Sequence, residues 1–204
     1  MPEGLDRPVL LIAGFLAGPR TIDALDHVLT VAGWRVRQAD VGRNAGPAYH
    51  GIEHCERDLA DLYKESGMKV RVIGHSRGGQ FARVLAVRHP EMVEQIITLG
   101  SPLRVKYPNY AVVRLPAEAL DRLWRTGVFG AVDPHEEERV DEHRYVPVPE
   151  GIDFVSIYSR TDGIVDWRTS IDPQAESIEV NASHAGLPNS MAGVGAVAAA
   201  LARR

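Results

Sequence analysis

The sequence predicts an α/β protein, with a mostly parallel sheet of about six strands and helices on both of its faces. Two observations predict it. Short runs rich in Val, Ile and Leu alternate along the chain with segments whose apolar residues recur at helical spacing. The chain has 204 residues, 45% of them hydrophobic and 25% charged, which suits one soluble domain, 1–204, with a single substantial core.

The elements follow in order. Pro8–Ala13 reads as the first strand, and Arg20–Ala32, with Ile22, Leu25, Val28 and Leu29, as a helix. Trp34–Val41 is a second strand, and Ile52–Glu65 is helical through Ile52, Cys55, Leu59, Leu62 and Tyr63. Lys69–Gly74 is the third strand, followed by a helix from Arg77 to Arg88 that His89-Pro90 stops. Val93–Gly100, Phe154–Tyr158 and Ser177–Val180 complete the strands, and Asn189–Leu201 is a last, Ala-rich helix. Residues 103–151 break the rhythm: no strand is evident, Leu115–Thr126 is helical, and Asp133–His143 is acidic and polar. A segment this long is a partly helical insert, a candidate cap or lid. Its acidic part reads as a solvated surface excursion.

Several classes are disfavoured. A net charge of -4 and a pI near 6.1 lack the basic excess of a nucleic-acid binder. The apolar run Val9–Gly18 is too short to span a membrane, and Glu3, Asp6 and Arg7 before it lack the basic excess of a signal peptide, so a cytoplasmic location is expected. Cys55, the lone cysteine, cannot form an internal disulfide and reads as a structural thiol. The sequence is silent on oligomeric state.

Chemistry is expected in the loops beyond the carboxyl ends of the strands. Gly74-His75-Ser76-Arg77-Gly78 fits G-x-S-x-G between a strand and a helix, the context of a nucleophile elbow. The glycines permit close strand–helix packing, and the helix start directs N–H groups and its positive end at the site. The plainer alternative is a βα turn whose serine only caps the helix. An orienting acid and then a base should follow in chain order. Asp162 lies just past the fifth strand. Asp166, farther along the loop, is the rival for that role, or a cap on the turn around Trp167; Asp162 is favoured because it follows its strand more closely. His184 lies in the loop after the sixth strand, while His75 is expected near the site but facing away from the base. Backbone N–H groups of Phe15, in the glycine-flanked loop Gly14–Gly18, and of Arg77 would form an oxyanion hole. Phe15, Leu16, Leu103, Trp124 and Trp167 are candidates for an acyl pocket, with core packing as the alternative for each.

Beyond Gly74–Gly79, the sequence carries Gly33-Trp34, Gly42-Arg43-Asn44-Ala45-Gly46-Pro47 and Thr98-Leu99-Gly100-Ser101-Pro102. It also carries Ile157-Tyr158-Ser159-Arg160-Thr161-Asp162-Gly163-Ile164-Val165 and Ser183-His184-Ala185-Gly186-Leu187. With these blocks the chain resembles the lipase and esterase branch of the α/β hydrolases, in particular small bacterial triacylglycerol-lipase-like hydrolases, over most of its length outside the insert. The resemblance implies an α/β-hydrolase fold and a Ser76–Asp162–His184 triad that cleaves a carboxylic ester through an acyl-enzyme. It implies a small ester or lipid-like substrate, and neither metal nor organic cofactor. Two positions depart from the pattern. Ala13-Gly14 stands where lipases often have His-Gly. Arg77 stands where an uncharged residue is common, and its cation would favour an anionic substrate group or pair with an acid of the insert.

Three other readings remain open at the level of sequence. The same residues would serve an acyltransferase, in which an alcohol or amine replaces water. The fold could be a catalytically silent partner-binding protein. His50-Gly51-Ile52-Glu53-His54 matches H-x-x-E-H and would suit zinc if a distant third ligand existed.

Overall fold

The computed structural model describes residues 4–103, 105, 111–129 and 132–202. Six strands form one sheet: β1 (Pro8–Ile12), β2 (Arg35–Gln38), β3 (Val70–His75), β4 (Val93–Leu99), β5 (Asp153–Tyr158) and β6 (Glu176–Glu179). Their order is β2-β1-β3-β4-β5-β6 and every neighbouring pair is parallel. The helices are α1 (Asp23–Val31), α2 (Ala48–Ser66), α3 (Arg77–Arg88), α4 (Ala111–Arg125), α5 (Pro134–His143) and α6 (Met191–Leu201).

Side-chain alternation along β1 builds two cores. Leu10 and Ile12 join Ile52, Leu59, Phe81 and Leu85 of α2 and α3 on one face. Val9, Leu11 and Ala13 join Leu25 and Leu29 of α1 and Val197 and Leu201 of α6 on the other. The central strands β1 and β3 are buried along their whole length, whereas the edge strands β2 and β6 carry charged, partly exposed residues. This is how a doubly covered sheet limits exposed apolar edges.

Strand order reverses between β1 and β3: the chain moves outward from β1 to β2, then returns and runs the other way from β3 to β6. A crevice opens above the carboxyl ends of two such strands because their connections depart in opposite directions. The loop after β1 and Ser76 after β3 both stand at that point.

The predicted elements match these with shifts of a few residues; α2 starts earlier, at Ala48, and the first helical segment divides into a short 3₁₀ turn at Pro19–Thr21 and α1. The insert holds α4 and α5, and no strand among its described residues; residues 104, 106–110, 130 and 131 of it lie outside them.

The acidic part of the insert is not a solvated excursion. Asp133 caps α5 by accepting from His135 and Glu136 N–H. Val140 is fully buried in the α2–α3 core. Glu137, also buried, accepts from the Ala48 and Tyr49 N–H groups at 2.7 and 3.2 Å. These belong to the first turn of α2, whose own N-cap residue, Pro47, makes no side-chain cap. A negative charge at that end also complements the helix dipole. The sequence misled because only two of the acidic helix's residues turn inward, a stripe too narrow to read as amphipathic. Glu137→Ala should therefore lower stability by about 1–2 kcal/mol in urea unfolding, whereas exposed Glu138→Ala should change it by less than about 0.5 kcal/mol. Equal effects would rule out the capping role.

Candidate active site

The turn after β3 is set by close backbone approaches. A Cβ on Gly74 would lie 2.3 Å from the Gly78 carbonyl oxygen, and one on Gly78 would lie 2.3 Å from that of Ile12. Only hydrogen fits at either place, so α3 leaves the sheet at very short range. Between them Ser76 is forced to φ 55°, ψ −121°, a conformation costly for any residue with a side chain. Its N–H continues the sheet ladder to the Leu99 carbonyl at 2.8 Å. Ser76 occupies the N-cap position of α3 yet makes no side-chain capping bond. A serine kept only to cap a helix would make that bond and would need no strained backbone.

The loop after β1 crosses in front of this turn. A Cβ on Gly14 would come within 2.9 Å of the Ser76 Cβ, so the loop backbone lies directly against the serine. Phe15 and Arg77, the expected oxyanion donors, both border the same cavity as Ser76 and His184.

Asp162 is buried in the turn after β5. Its Oδ1 accepts the Ile164 and Val165 N–H groups, each at 2.8 Å, and its Oδ2 accepts from His184 Nδ1 at 2.6 Å. The two backbone donors fix the carboxylate, and the carboxylate fixes the orientation of the imidazole through its Nδ1 edge. The turns are also joined to each other. Ser159 Oγ accepts from Thr161 N–H and Ala182 N–H, and Thr161 Oγ1 donates to the Ala182 carbonyl. Asp166, by contrast, caps the turn at Trp167–Ser170 through Arg168 N–H. Among the described contacts no hydrogen bond joins Ser76 Oγ to His184; such bonds often tighten only when a substrate is bound.

His75 corrects the expectation that it faces away. Its Nε2 donates to the His184 carbonyl at 3.0 Å, and the two rings lie 4.7 Å apart. Burial, reinforced by repulsion from His184, pushes its pKa down to about 3, so the ring is neutral. Gly100, with φ 55°, is a residue to which the sequence pattern gave no role in the site. A Cβ there would lie 2.9 Å from Asp162 Oδ2 and 2.5 Å from Leu187 Cδ1, so the hydrogen-bonded Asp162–His184 pair rests on a bare backbone. A lone glycine just past a strand was the available signal.

The cavity has a volume of about 420 Å³. Phe15, Leu16, Pro102, Ala117, Trp124 and Ile164 give it a mainly apolar wall, with α4 supplying Ala117 and Trp124. Leu103 and Trp167 are not part of that wall. Leu103 is buried in the α2–α3 core. Trp167 stacks on Tyr158 at 5.7 Å with the Arg160 and Arg168 guanidinium groups near its ring. Both are held by other neighbours away from the crevice.

The histidine–glutamate motif makes no metal centre among the described residues, where no three His, Cys, Asp or Glu side chains converge. His50 packs between Tyr49 and Trp124, and His54 Nδ1 faces Arg57. Burial pushes the Cys55 thiol well above its ordinary range, which leaves it protonated and unreactive. No described helix is long and apolar enough to cross a membrane.

Comparison with known proteins agrees with this architecture. The family model described as a PGAP1-like alpha/beta domain matches residues 49–191, more than half of the chain. The chain belongs to that family. Its fold is the α/β-hydrolase fold. A pyrethroid hydrolase of Sphingobium wenxiniae is 30% identical over 115 residues, which are 54% of this chain and 41% of that protein. The chain thus spans less than half the length of that curated relative. Among solved structures, the mature Bacillus licheniformis lipase BlEst2 superposes with a TM-score of 0.69 at 14% identity, covering 98% of this chain and 93% of that one. A pyrethroid hydrolase from Sphingobium faniae gives 0.61 at 20% identity, covering 96% and 98%. At such identities these two likenesses concern the fold.

The buried neutral His75 has a consequence for acid stability. Its ordinary value is 6.5 and its folded value about 3, so between them the unfolded chain takes up a proton that the folded chain refuses. Stability therefore falls as pH drops below 6.5, by up to about 1.4 kcal/mol per pH unit from this group. The titratable groups facing it are His184 and Asp162. His75→Gln keeps a donor for the His184 carbonyl and removes the titration. Its urea midpoint should decline less than that of the parent between about pH 6.5 and about pH 5; an equal decline would refute the assignment.

Proposed function

We propose that this protein is a serine hydrolase of carboxylic esters, with Ser76 as nucleophile, His184 as general base and acid, and Asp162 as the orienting carboxylate. The observation that carries the proposal is the buried Asp162–His184 hydrogen bond beside a serine held in a strained strand-to-helix turn, all at one cavity. His184 Nε2 takes the Ser76 proton as Oγ attacks the ester carbonyl carbon. The carbonyl oxygen becomes an oxyanion, received by the Phe15 and Arg77 N–H groups. Collapse of the tetrahedral intermediate breaks the bond to the alkoxy oxygen, which leaves as the alcohol with the proton from His184. Water, deprotonated by His184, then attacks the acyl-serine, and the acid departs as Ser76 regains its proton. Asp162 keeps the Nδ1–H tautomer and stabilises the imidazolium without itself being protonated.

The wall of the cavity supports a substrate class. A space of about 420 Å³ bordered by Phe15, Leu16, Ala117, Trp124 and Ile164 suits a compact, bulky apolar ester. That two relatives are named pyrethroid hydrolases supports the same class.

A panel of p-nitrophenyl esters and bulky aryl esters tests the reading. Ser76→Ala should abolish turnover. Asp162→Asn should lose on the order of 10⁴ in rate, and Asp166→Asn should stay within about twofold of the parent, as expected for a surface cap. A more damaging Asp166→Asn would move the acid to that residue. Failure of a fluorophosphonate to label Ser76 would refute the proposal as a whole.

A further inference from the structure

The turn after β2 reaches across the end of β1 into the wall of the site. Asn44 in that turn is 4% exposed and sits at φ 48°, in the left-handed region that Asn tolerates better than other side-chain-bearing residues. Its Nδ2 donates to the Ala13 carbonyl at 3.0 Å. Ala13 and Gly14 carry no polar side chain that could anchor the loop after β1, so the anchor comes from Asn44. A trans peptide is planar, and holding the Ala13 oxygen on one edge holds the Gly14 N–H on the other. The next peptide is the one that presents the Phe15 N–H.

The same turn is gripped from the other side. Arg77 donates from Nη1 to the Asn44 carbonyl at 2.8 Å and from Nη2 to the Gly46 carbonyl at 2.9 Å. Its guanidinium stands 5.8 Å from the Phe15 ring and 5.2 Å from the Phe81 ring. One chain of contacts therefore runs from the Ala13 carbonyl through both ends of Asn44 to the Arg77 side chain. The two backbone N–H groups assigned to the oxyanion lie just beyond its two ends.

We infer that Asn44 and the Arg77 side chain are positioning residues that hold the two oxyanion donors at a fixed separation, and that the Arg77 cation serves this turn rather than an anionic substrate group. The inference rests on the proposed hydrolase reading for its catalytic consequence, but the latch itself is a property of the loop.

Asn44→Gly separates the two. Glycine keeps the left-handed backbone and removes only the amide. Loss of a donor from such a hole costs about 10²–10³ in kcat; loosening one should cost about 10- to 100-fold, with KM within about twofold. Binding of a boronic acid, which forms a tetrahedral adduct on Ser76, should weaken in step with kcat/KM. An unchanged kcat, or a loss confined to KM, would overturn the positioning role. Arg77→Lys keeps the charge but cannot bridge both carbonyls. It should lower kcat by the same factor on p-nitrophenyl butyrate and on the p-nitrophenyl monoester of succinic acid; a loss selective for the succinate ester would show instead that Arg77 reads an anion. Amide hydrogen exchange, followed by mass spectrometry on the peptide spanning residues 13–18, is independent of activity. It should quicken about tenfold in Asn44→Gly, the effect of losing one buried hydrogen bond. Unchanged exchange would remove the latch. If the parent hydrolyses neither ester and resists the fluorophosphonate, the hydrolase reading fails while the exchange result still decides the latch.

Discussion

The closeness of α3 to β1 and β3 is the constraint on which the rest depends. Gly74 and Gly78 bring two backbones together where no side chain fits, and the turn between them has no relaxed conformation for Ser76. The strain is held by two fully buried strands and by a helix buried along most of its length. It turns the serine out of the sheet at the one place where the strand order reverses, so a crevice is already present in front of it.

α3 also organises what lies above that crevice. Gln80 Nε2 donates to the Pro102 and Val105 carbonyls, where the chain enters the insert. Arg83 donates to the Arg144 and Val146 carbonyls, where the chain leaves it, and pairs with buried Asp172 at 3.2 Å. Between those ends α5 is held by Val140 in the core and by Glu137 at the start of α2. Ser76 and the insert residues that border its cavity are thus referenced to one helix. The second frame is the pair of turns after β5 and β6, joined through Ser159 and Thr161, with the His75 ring tying the His184 backbone back to the turn that carries Ser76.

Much of this is legible in the linear chain. The alternation of strand and helix, the glycine spacing around Ser76, and the placement of Asp162 and His184 just past successive strands are local patterns, and local patterns survive in a string of residues. The cap made by Asp166 was one of two roles the chain left open for it, since a cap acts within a few residues of itself. What escapes are contacts between segments far apart in the chain. Glu137 reaches Ala48 across 89 positions, His75 reaches His184 across 109, and Asn44 reaches Ala13 across 31. Leu103 and Trp167 were misplaced because an apolar side chain in a loop has the same composition signal whether it faces a cavity or a core.

The sequence by itself determined the sheet, its crevice and the placement of Ser76, Asp162 and His184 just past three strands, because hydrophobic period and glycine sterics act over a few neighbouring positions. The tertiary structure alone decided which groups hold those three residues and their loops in place. Asn44, His75, Glu137 and Gly100 owe their roles to partners that only folding brings within hydrogen-bonding or van der Waals range. A buried polar group is tolerated only where such partners exist.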